Sequence, residues 1–498
     1  MNNLIILISV IFGLLSTVNS TPFDYWKLRA QIIENEQKST LGGQLEFNHG
    51  EKIANDFLMS KKRAEFLNAF KNSSNFLPAH NFVNVIKDIE KSEVYKIIQK
   101  MPKGAVLHAH DTALVLSDWI LRNVTYRPNL YICLLTNGKL KLHFFDEPST
   151  DCNWELLSNI RKIVRNIDER IYREMTMTME DIDNYADVDE AWSKFNKIFS
   201  FIKPLLTYKP VWEDHYYQAL TDLYNDNVMY IEFRTTLPNL YDLNGTVYSQ
   251  LETVEVYKKI TERFVSEHPD FIGAKLIYAP YRGINVTELD EYLKTLKTIK
   301  DNYPTFLAGF DLVGQEDKGT PLIVFANKLK DFDPSMNYFF HAGETDWYGT
   351  STDENLIDAV LLGAKRIGHG YALTKHPLLM EMAKQRGIAV EVNPISNQVL
   401  GLVKDLRNHP AVELFANNYP IVISNDDPGL WGARALSYDF YQAFVAIMSQ
   451  NSDLRALKQL ALNSITYSSL NAVEKEKALK VWRQKWNNFV QTLTNQVV

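Results

Sequence analysis

The sequence predicts an α/β protein built on a TIM-type (β/α)8 barrel, with a helical extension before it and a small insertion within it. Two observations predict this. Eight short apolar runs alternate with helical patterns, the order that a parallel barrel requires. They span residues 106–110, 228–233, 271–279, 306–312, 338–341, 366–368, 389–392 and 421–424. Ionisable residues then gather just past the ends of these runs, where such barrels keep their active sites. An open doubly wound sheet is the competing architecture, but no Gly-x-Gly-x-x-Gly opens a helix after any of the runs.

The 498 residues suffice for one large domain with appendages, and 46% hydrophobic and 23% charged residues are ordinary globular values. A net charge of −7 argues against a nucleic-acid or anionic-membrane partner. At the start, an apolar run over residues 4–15 is followed by Ser-Thr-Val-Asn-Ser20, the pattern of a secretory signal over residues 1–20 cut near Thr21. The run is too short to span a bilayer comfortably, so we expect a secreted, extracellular protein without a membrane anchor. Glycosylation acceptor patterns begin at Asn72, Asn123, Asn244 and Asn285. The two cysteines, Cys133 and Cys152, flank a turn-like Thr136-Asn137-Gly138. In an oxidising compartment they would form one disulfide; two separate buried thiols is the other reading.

Residues 21–100 are helical in character. Phe57, Ala64, Leu67 and Phe70 recur at helical spacing, as do Val85, Ile89 and Ile97. Such stripes predict core, and a helical block ahead of a catalytic domain can also serve as a dimer arm. The catalytic barrel is expected over residues 101–498. Its first two strands are too far apart for one crossover, so residues of about 119–187 must hold an insertion, which we read as a small subdomain over the barrel mouth. The tail, about 452–498, carries Leu479, Trp482, Trp486, Phe489 and Leu493 at steps of three and four, a helix for the barrel exterior.

The chemistry begins in Met101-Pro-Lys-Gly-Ala-Val-Leu-His-Ala-His-Asp111. Alternate residues of a strand share a face, so His108 and His110 point the same way and can grip one metal ion. Alone, a His-x-His is weak. Three later strand ends add to it: His341-Ala-Gly-Glu344, Gly368-His369-Gly370, and Asp426-Asp427-Pro428. Each has a bland alternative, since His369 could be a structural histidine and Asp426-Asp427-Pro428 a helix cap. Taken together, His108, His110, His341 and Asp426 supply three imidazoles and a carboxylate, a donor set for one Zn2+ per chain with a position left for water. Such a water would be acidified toward neutral pH. Glu344 is the candidate to hold or release a proton beside it, with Asp427 and His369 holding the water.

With these residues assembled, the chain resembles the adenosine deaminases. His-Ala-His-Asp, His-Ala-Gly-Glu, Gly-His-Gly, Asn393-Pro-Ile-Ser-Asn397 and Ser-Asn-Asp-Asp-Pro carry the likeness. The signal, the helical N-terminal block and the cysteine-bearing insertion resemble the secreted branch, the adenosine deaminase-related growth factors. So do Met-Pro-Lys-Gly, Trp192-Ser-Lys-Phe, and Gly309-Phe-Asp-Leu-Val-Gly314. The likeness implies a barrel of metal-dependent hydrolase type that deaminates adenosine, and 2′-deoxyadenosine with it, to inosine and ammonia. It assigns zinc to His108, His110, His341 and Asp426, protonation of purine N1 to Glu344, and orientation of the attacking oxygen to His369 and Asp427. It also matches Asp111 to a ribose contact, the Gly314 backbone to a purine contact and Trp192 to a pocket wall, with Asp427 again at the substrate. A homodimer, growth-factor activity and a cell-surface receptor or glycosaminoglycan partner are implied as well. The rival from another class is a receptor-binding growth factor in which catalysis is incidental. A binuclear amidohydrolase would need a lysine at the end of the fourth strand, where this chain has Asp311-Leu-Val-Gly314. Nucleic-acid deaminases need a Cys-x-x-Cys, which two isolated cysteines do not supply.

Overall fold

Apolar runs separated by helices cannot pair through tight hairpins, so they pair in parallel across helical crossovers. A computed structural model, which describes residues 24–178 and 185–496, shows that arrangement. The expected signal segment, residues 1–20, lies outside the described residues. Gly104–Val106 (β1), Val228–Thr235 (β2), Gly273–Tyr278 (β3) and Leu307–Phe310 (β4) form one parallel sheet in that order. His341–Ala342 (β5), Arg366–His369 (β6), Ala389–Val392 (β7) and Ile421–Ile423 (β8) form another. Parallel bridges Phe310↔Tyr338 and Ala109↔Asp426 join the two sheets at both seams and close the barrel. The helices between the strands are set by local signals. Gln250–Glu267, for example, starts at a capping box in which Ser249 and Glu252 satisfy each other's backbone N–H groups.

The barrel interior is not uniformly apolar. Glu232, Arg234, Asp311, Arg366 and Glu391 are fully buried inside it and pair with one another. Arg366 reaches Glu232 at 2.8 Å and Glu391 at 2.5 Å, while Arg234 reaches Glu391 at 2.8 Å and Asp311 at 2.7 Å. Charges taken out of water must be paired, and this ladder pairs each of them. It forms the floor on which the strand ends stand.

The insertion between β1 and β2 builds a small antiparallel sheet of Leu140–Phe144, Leu130–Leu134 and Glu155–Leu156, in that order, and Cys133 is disulfide-bonded to Cys152 within it. The central cavity is lined instead by the next helix, Val188–Leu206, against which Leu140–Phe144 packs.

The C-terminal helix Ala472–Thr494 buries Trp482, Trp486, Phe489 and Leu493. Trp482 Nε1 donates to the Pro102 carbonyl and Trp486 Nε1 to Glu51, which ties the tail to the helix His49–Lys71. That helix corrects one expectation. It buries Glu51, Ala54, Leu58, Met59 and Lys62, whereas Leu67 and Phe70 are 62% and 79% exposed. Of the stripe read as core, Phe57 packs half-buried against the core, whereas Ala64, Leu67 and Phe70 lie exposed on a second face. Val85, Ile89 and Ile97 are buried as expected.

Candidate active site

β1 ends at Val106, and the chain continues past it as an extended segment. Asp426 N donates to His108 O at 3.1 Å and His110 N to Asp426 O at 3.0 Å, so this segment is zipped to the end of β8. The zipper brings the three side chains together. His108 Nε2 and His110 Nε2 lie 3.2 and 3.1 Å from the same oxygen, Asp426 Oδ1. The His341 ring, at the start of β5, has its centroid 4.5 Å from that of His108 and 5.4 Å from that of His110. His369, at the end of β6, places Nε2 3.7 Å from Asp426 Oδ2. Asp426 and His369 both adopt left-handed backbone, at φ 57° and 60°. Non-glycine residues there cost about 1–3 kcal/mol each and persist where the surroundings demand them.

Carboxylates orient the imidazoles from behind. His108 Nδ1 lies 2.7 Å from Glu391 Oε2, and His341 Nδ1 lies 2.7 Å from Asp311 Oδ2. Burial alone would raise both carboxyls, but arginine and histidine neighbours hold them well below the usual range. Ionised, they can only accept, so the protons sit on Nδ1 and the Nε2 lone pairs face the site. His108 Nε2 is fully buried yet makes no hydrogen bond. Bare imidazole nitrogens turned onto a carboxylate are the donor set a divalent metal takes, and the residues present fit one. Nitrogen and oxygen atoms of His108, His341, His369 and Asp426 lie within 4.8 Å of one another, as do those of His110, Asp426 and Asp427.

Glu344 lies beside this cluster, with one carboxyl oxygen 3.5 Å from His369 Nδ1. Its loop is held from below by Glu316, which accepts the backbone N–H of Gly343 at 2.9 Å and of Glu344 at 2.6 Å. Burial, then the charges of Asp426 and Glu316, push the Glu344 carboxyl well above the usual range, which favours its protonated form. Burial and the adjacent Asp426 do the same to Asp427. Asp427 precedes the short helix Pro428–Trp431 but gives it no side-chain cap, and its Oδ1 is buried without a partner. The helix-cap reading of this pair therefore fails. Asp426 Oδ2 instead accepts from Ser396 Oγ at 2.7 Å.

His110, His341, Glu344, His369, Asp426 and Asp427 line one cavity of about 300 Å³, the lower end of the range for small-molecule sites. Asp111, Trp192 and Gly314 line it too. Asp111 also accepts from Tyr257 Oη at 2.5 Å and from Thr112 N at 2.7 Å. Gly314, at φ 108°, leaves room for the Tyr281 ring: a Cβ there would stand 2.6 Å from that ring. The acceptor asparagines Asn72, Asn123, Asn244 and Asn285 are exposed. Sequence reasoning did not single out Glu391, Arg234, Glu316, Ser396 or Asn397 as individuals. Among the described residues, no helix is long and apolar enough to cross a membrane.

Residues 160–482 match the family model described as adenosine deaminase, and residues 4–98 that of the adenosine/AMP deaminase N-terminal region. The adenosine deaminase of Phlebotomus duboscqi is 46% identical over 476 residues, covering 94% of this chain and 92% of that protein. Adenosine deaminase 2 of Homo sapiens is 42% identical over 474 residues, covering 93% of this chain and 92% of that protein. Among solved structures, an Arabidopsis N6-mAMP deaminase superposes with a TM-score of 0.58 at 18% identity, over 78% of this chain and 99% of its own. A Burkhoderia ambifaria amidohydrolase with bound Zn gives 0.57 at 19% identity, over 80% of this chain and 94% of its own. At such identities these two share the fold.

Proposed function

The chain belongs to the adenosine deaminase family and is a hydrolytic deaminase, and from that premise we propose that it is a secreted, zinc-dependent enzyme converting adenosine and 2′-deoxyadenosine to their inosine counterparts and ammonia. One observation carries the reading: two buried imidazoles, His108 and His341, each backed by a carboxylate, cluster with Asp426 beside the buried Glu344 carboxyl. His108, His110, His341 and Asp426 would hold the ion. Zinc, when bound, supplies a Lewis acid that makes water nucleophilic at neutral pH.

The chain's own residues do the rest. Glu344 donates its proton to N1 of the purine as the new bond forms at C6, so that the ring accepts electrons as a neutral species. Asp427 and His369 hold the attacking water against C6. Gly314 and Trp192 bound the base, and Asp111 meets the ribose. N1 keeps the proton it received. Of the two protons the attacking water gives up, one restores the Glu344 acid and the other joins the C6 amino group, which leaves the tetrahedral adduct as ammonia. Water and a nucleoside enter, and ammonia and the 6-oxo nucleoside leave. Adenosine supplied to the purified protein should lose its ultraviolet signature in step with inosine formation, with metal analysis giving one zinc per chain. A protein that binds zinc and leaves adenosine untouched would end this reading.

Secretion, carbohydrate at Asn72, Asn123, Asn244 and Asn285, and a homodimer formed through the N-terminal helices belong to the same reading. The second reading, a growth factor that binds a cell-surface receptor or glycosaminoglycan, is favoured by the insertion, which forms its own disulfide-bonded sheet apart from the barrel strands. Growth stimulation by a catalytically dead variant would favour it over nucleoside removal.

A further inference from the structure

We propose that Asn397 and His409 fix the tautomer of His369, so that its Nε2 presents a proton to the reaction site and is not a metal ligand. The direction of every bond follows from one unambiguous donor. The backbone N–H of Ala411 reaches Nδ1 of His409 at 3.1 Å, and a backbone N–H can only donate. His409 is therefore an acceptor at Nδ1 and carries its proton on Nε2. Burial keeps this ring neutral, with its pKa down to about 3. Nε2 of His409 lies 2.9 Å from Oδ1 of Asn397, which accepts the proton. The amide nitrogen of Asn397 must then face His369, and it does so at 3.1 Å from Nδ1. An N–H pointing at Nδ1 excludes a proton there. The remaining proton of His369 sits on Nε2, the nitrogen that faces Asp426.

This sorts the imidazoles of the site by what stands behind them. An ionised carboxylate behind His108 or His341 draws the proton to Nδ1 and bares Nε2 for a metal. An amide N–H behind His369 does the reverse. Its Nε2 lies 3.7 Å from Asp426 Oδ2, but a protonated nitrogen has no lone pair to give a metal. His369 is thereby left as a donor toward the water. Asn397 and His409 touch neither metal nor substrate in this scheme; they are positioning residues.

The inference rests on the deaminase reading for its kinetic arm only. Histidine-selective ¹⁵N spectra of the full-length zinc-loaded protein should show His369 with an unprotonated Nδ1 and a protonated Nε2. A proton on Nδ1 would overturn the proposal whether or not adenosine is a substrate. In Asn397→Asp an acceptor replaces the amide donor, so the His369 proton should move to Nδ1 and kcat fall about 10–100-fold with KM little changed. His409→Gln keeps a donor toward Asn397 and should retain most of kcat, while His409→Leu frees the amide to turn and should lose it. Equal rates for these two His409 variants, both folded and zinc-loaded, would sink the relay. A wild-type protein inert to adenosine would instead count against the function, leaving the spectra to decide the tautomer.

Discussion

Glu391 Oε2 lies 2.7 Å from Nδ1 of His108 and, at the same time, 2.8 Å from Nη2 of Arg234. One buried carboxylate thus sets the tautomer of a candidate ligand and neutralises a cation in the barrel interior. Its mate, Asp311, does the same between His341 and the same arginine. The metal site and the interior ion ladder are one network.

Glu391→Gln should therefore weaken the metal site without emptying the cavity. The amide can present its N–H to His108 Nδ1, which moves the imidazole proton onto Nε2. Loss of such a partner typically costs about 10–100-fold in metal affinity. Competition with a chelator of known affinity measures this. Unchanged zinc affinity in a folded variant would separate Glu391 from the site.

Glu344→Gln removes the transferable proton and keeps the shape. The rate should fall by roughly 10²–10⁴-fold, the usual worth of a general acid, with zinc content unchanged. Equal turnover would exclude Glu344 from proton transfer.

The charge of Glu316 is one of the causes that hold the Glu344 proton in place. The acid form of Glu344 is the active one, and its pKa is raised. Activity should therefore persist above the ordinary carboxylate range and decline as pH rises through the shifted value. Glu316→Gln removes a negative charge and should move that alkaline limb of kcat/KM to lower pH. A limb that stays in place, or moves upward, would assign it to another group.

Much of this was open to reading in the chain itself. The strands were found because each is a short apolar run, and the catalytic candidates because they follow those runs beside glycine or proline. The ion ladder escaped for an instructive reason. Glu232, Arg234 and Glu391 are charges inside otherwise apolar strands, a signal that was present but could name no partner, since pairing depends on where distant strands meet. Asn397 and His409 likewise connect only through the fold. Leu67 and Phe70 mark the opposite limit: periodicity shows that a helix has an apolar face, and not which surface covers it.

The disulfide Cys133–Cys152 closes a loop of sequence separation 19 within the insertion sheet. Cross-linking a loop of that size restricts the unfolded chain by about 3 kcal/mol. Cys133→Ser with Cys152→Ser should lower the thermal midpoint and hasten proteolysis between residues 130 and 156, while kcat on adenosine remains near wild type, because no described insertion residue lines the cavity. A large loss of kcat with an unchanged midpoint would mean that the insertion shapes the site.

The helix Tyr25–Ser39 buries none of its residues, and Tyr25, Trp26, Leu28, Ile32 and Ile33 are all exposed, Trp26 by 75%. An isolated helix of this length is marginal in water. Its apolar side chains call for a cover, and a second copy of the chain, with Leu67 and Phe70 exposed on the neighbouring helix His49–Lys71, offers apolar surface of the same kind. Trp26→Glu with Ile33→Glu should put a charge on that face and convert a dimer into a monomer in sedimentation velocity at micromolar concentration, leaving zinc binding intact. A wild-type protein that sediments as a monomer over the same concentrations would remove the homodimer from the proposal.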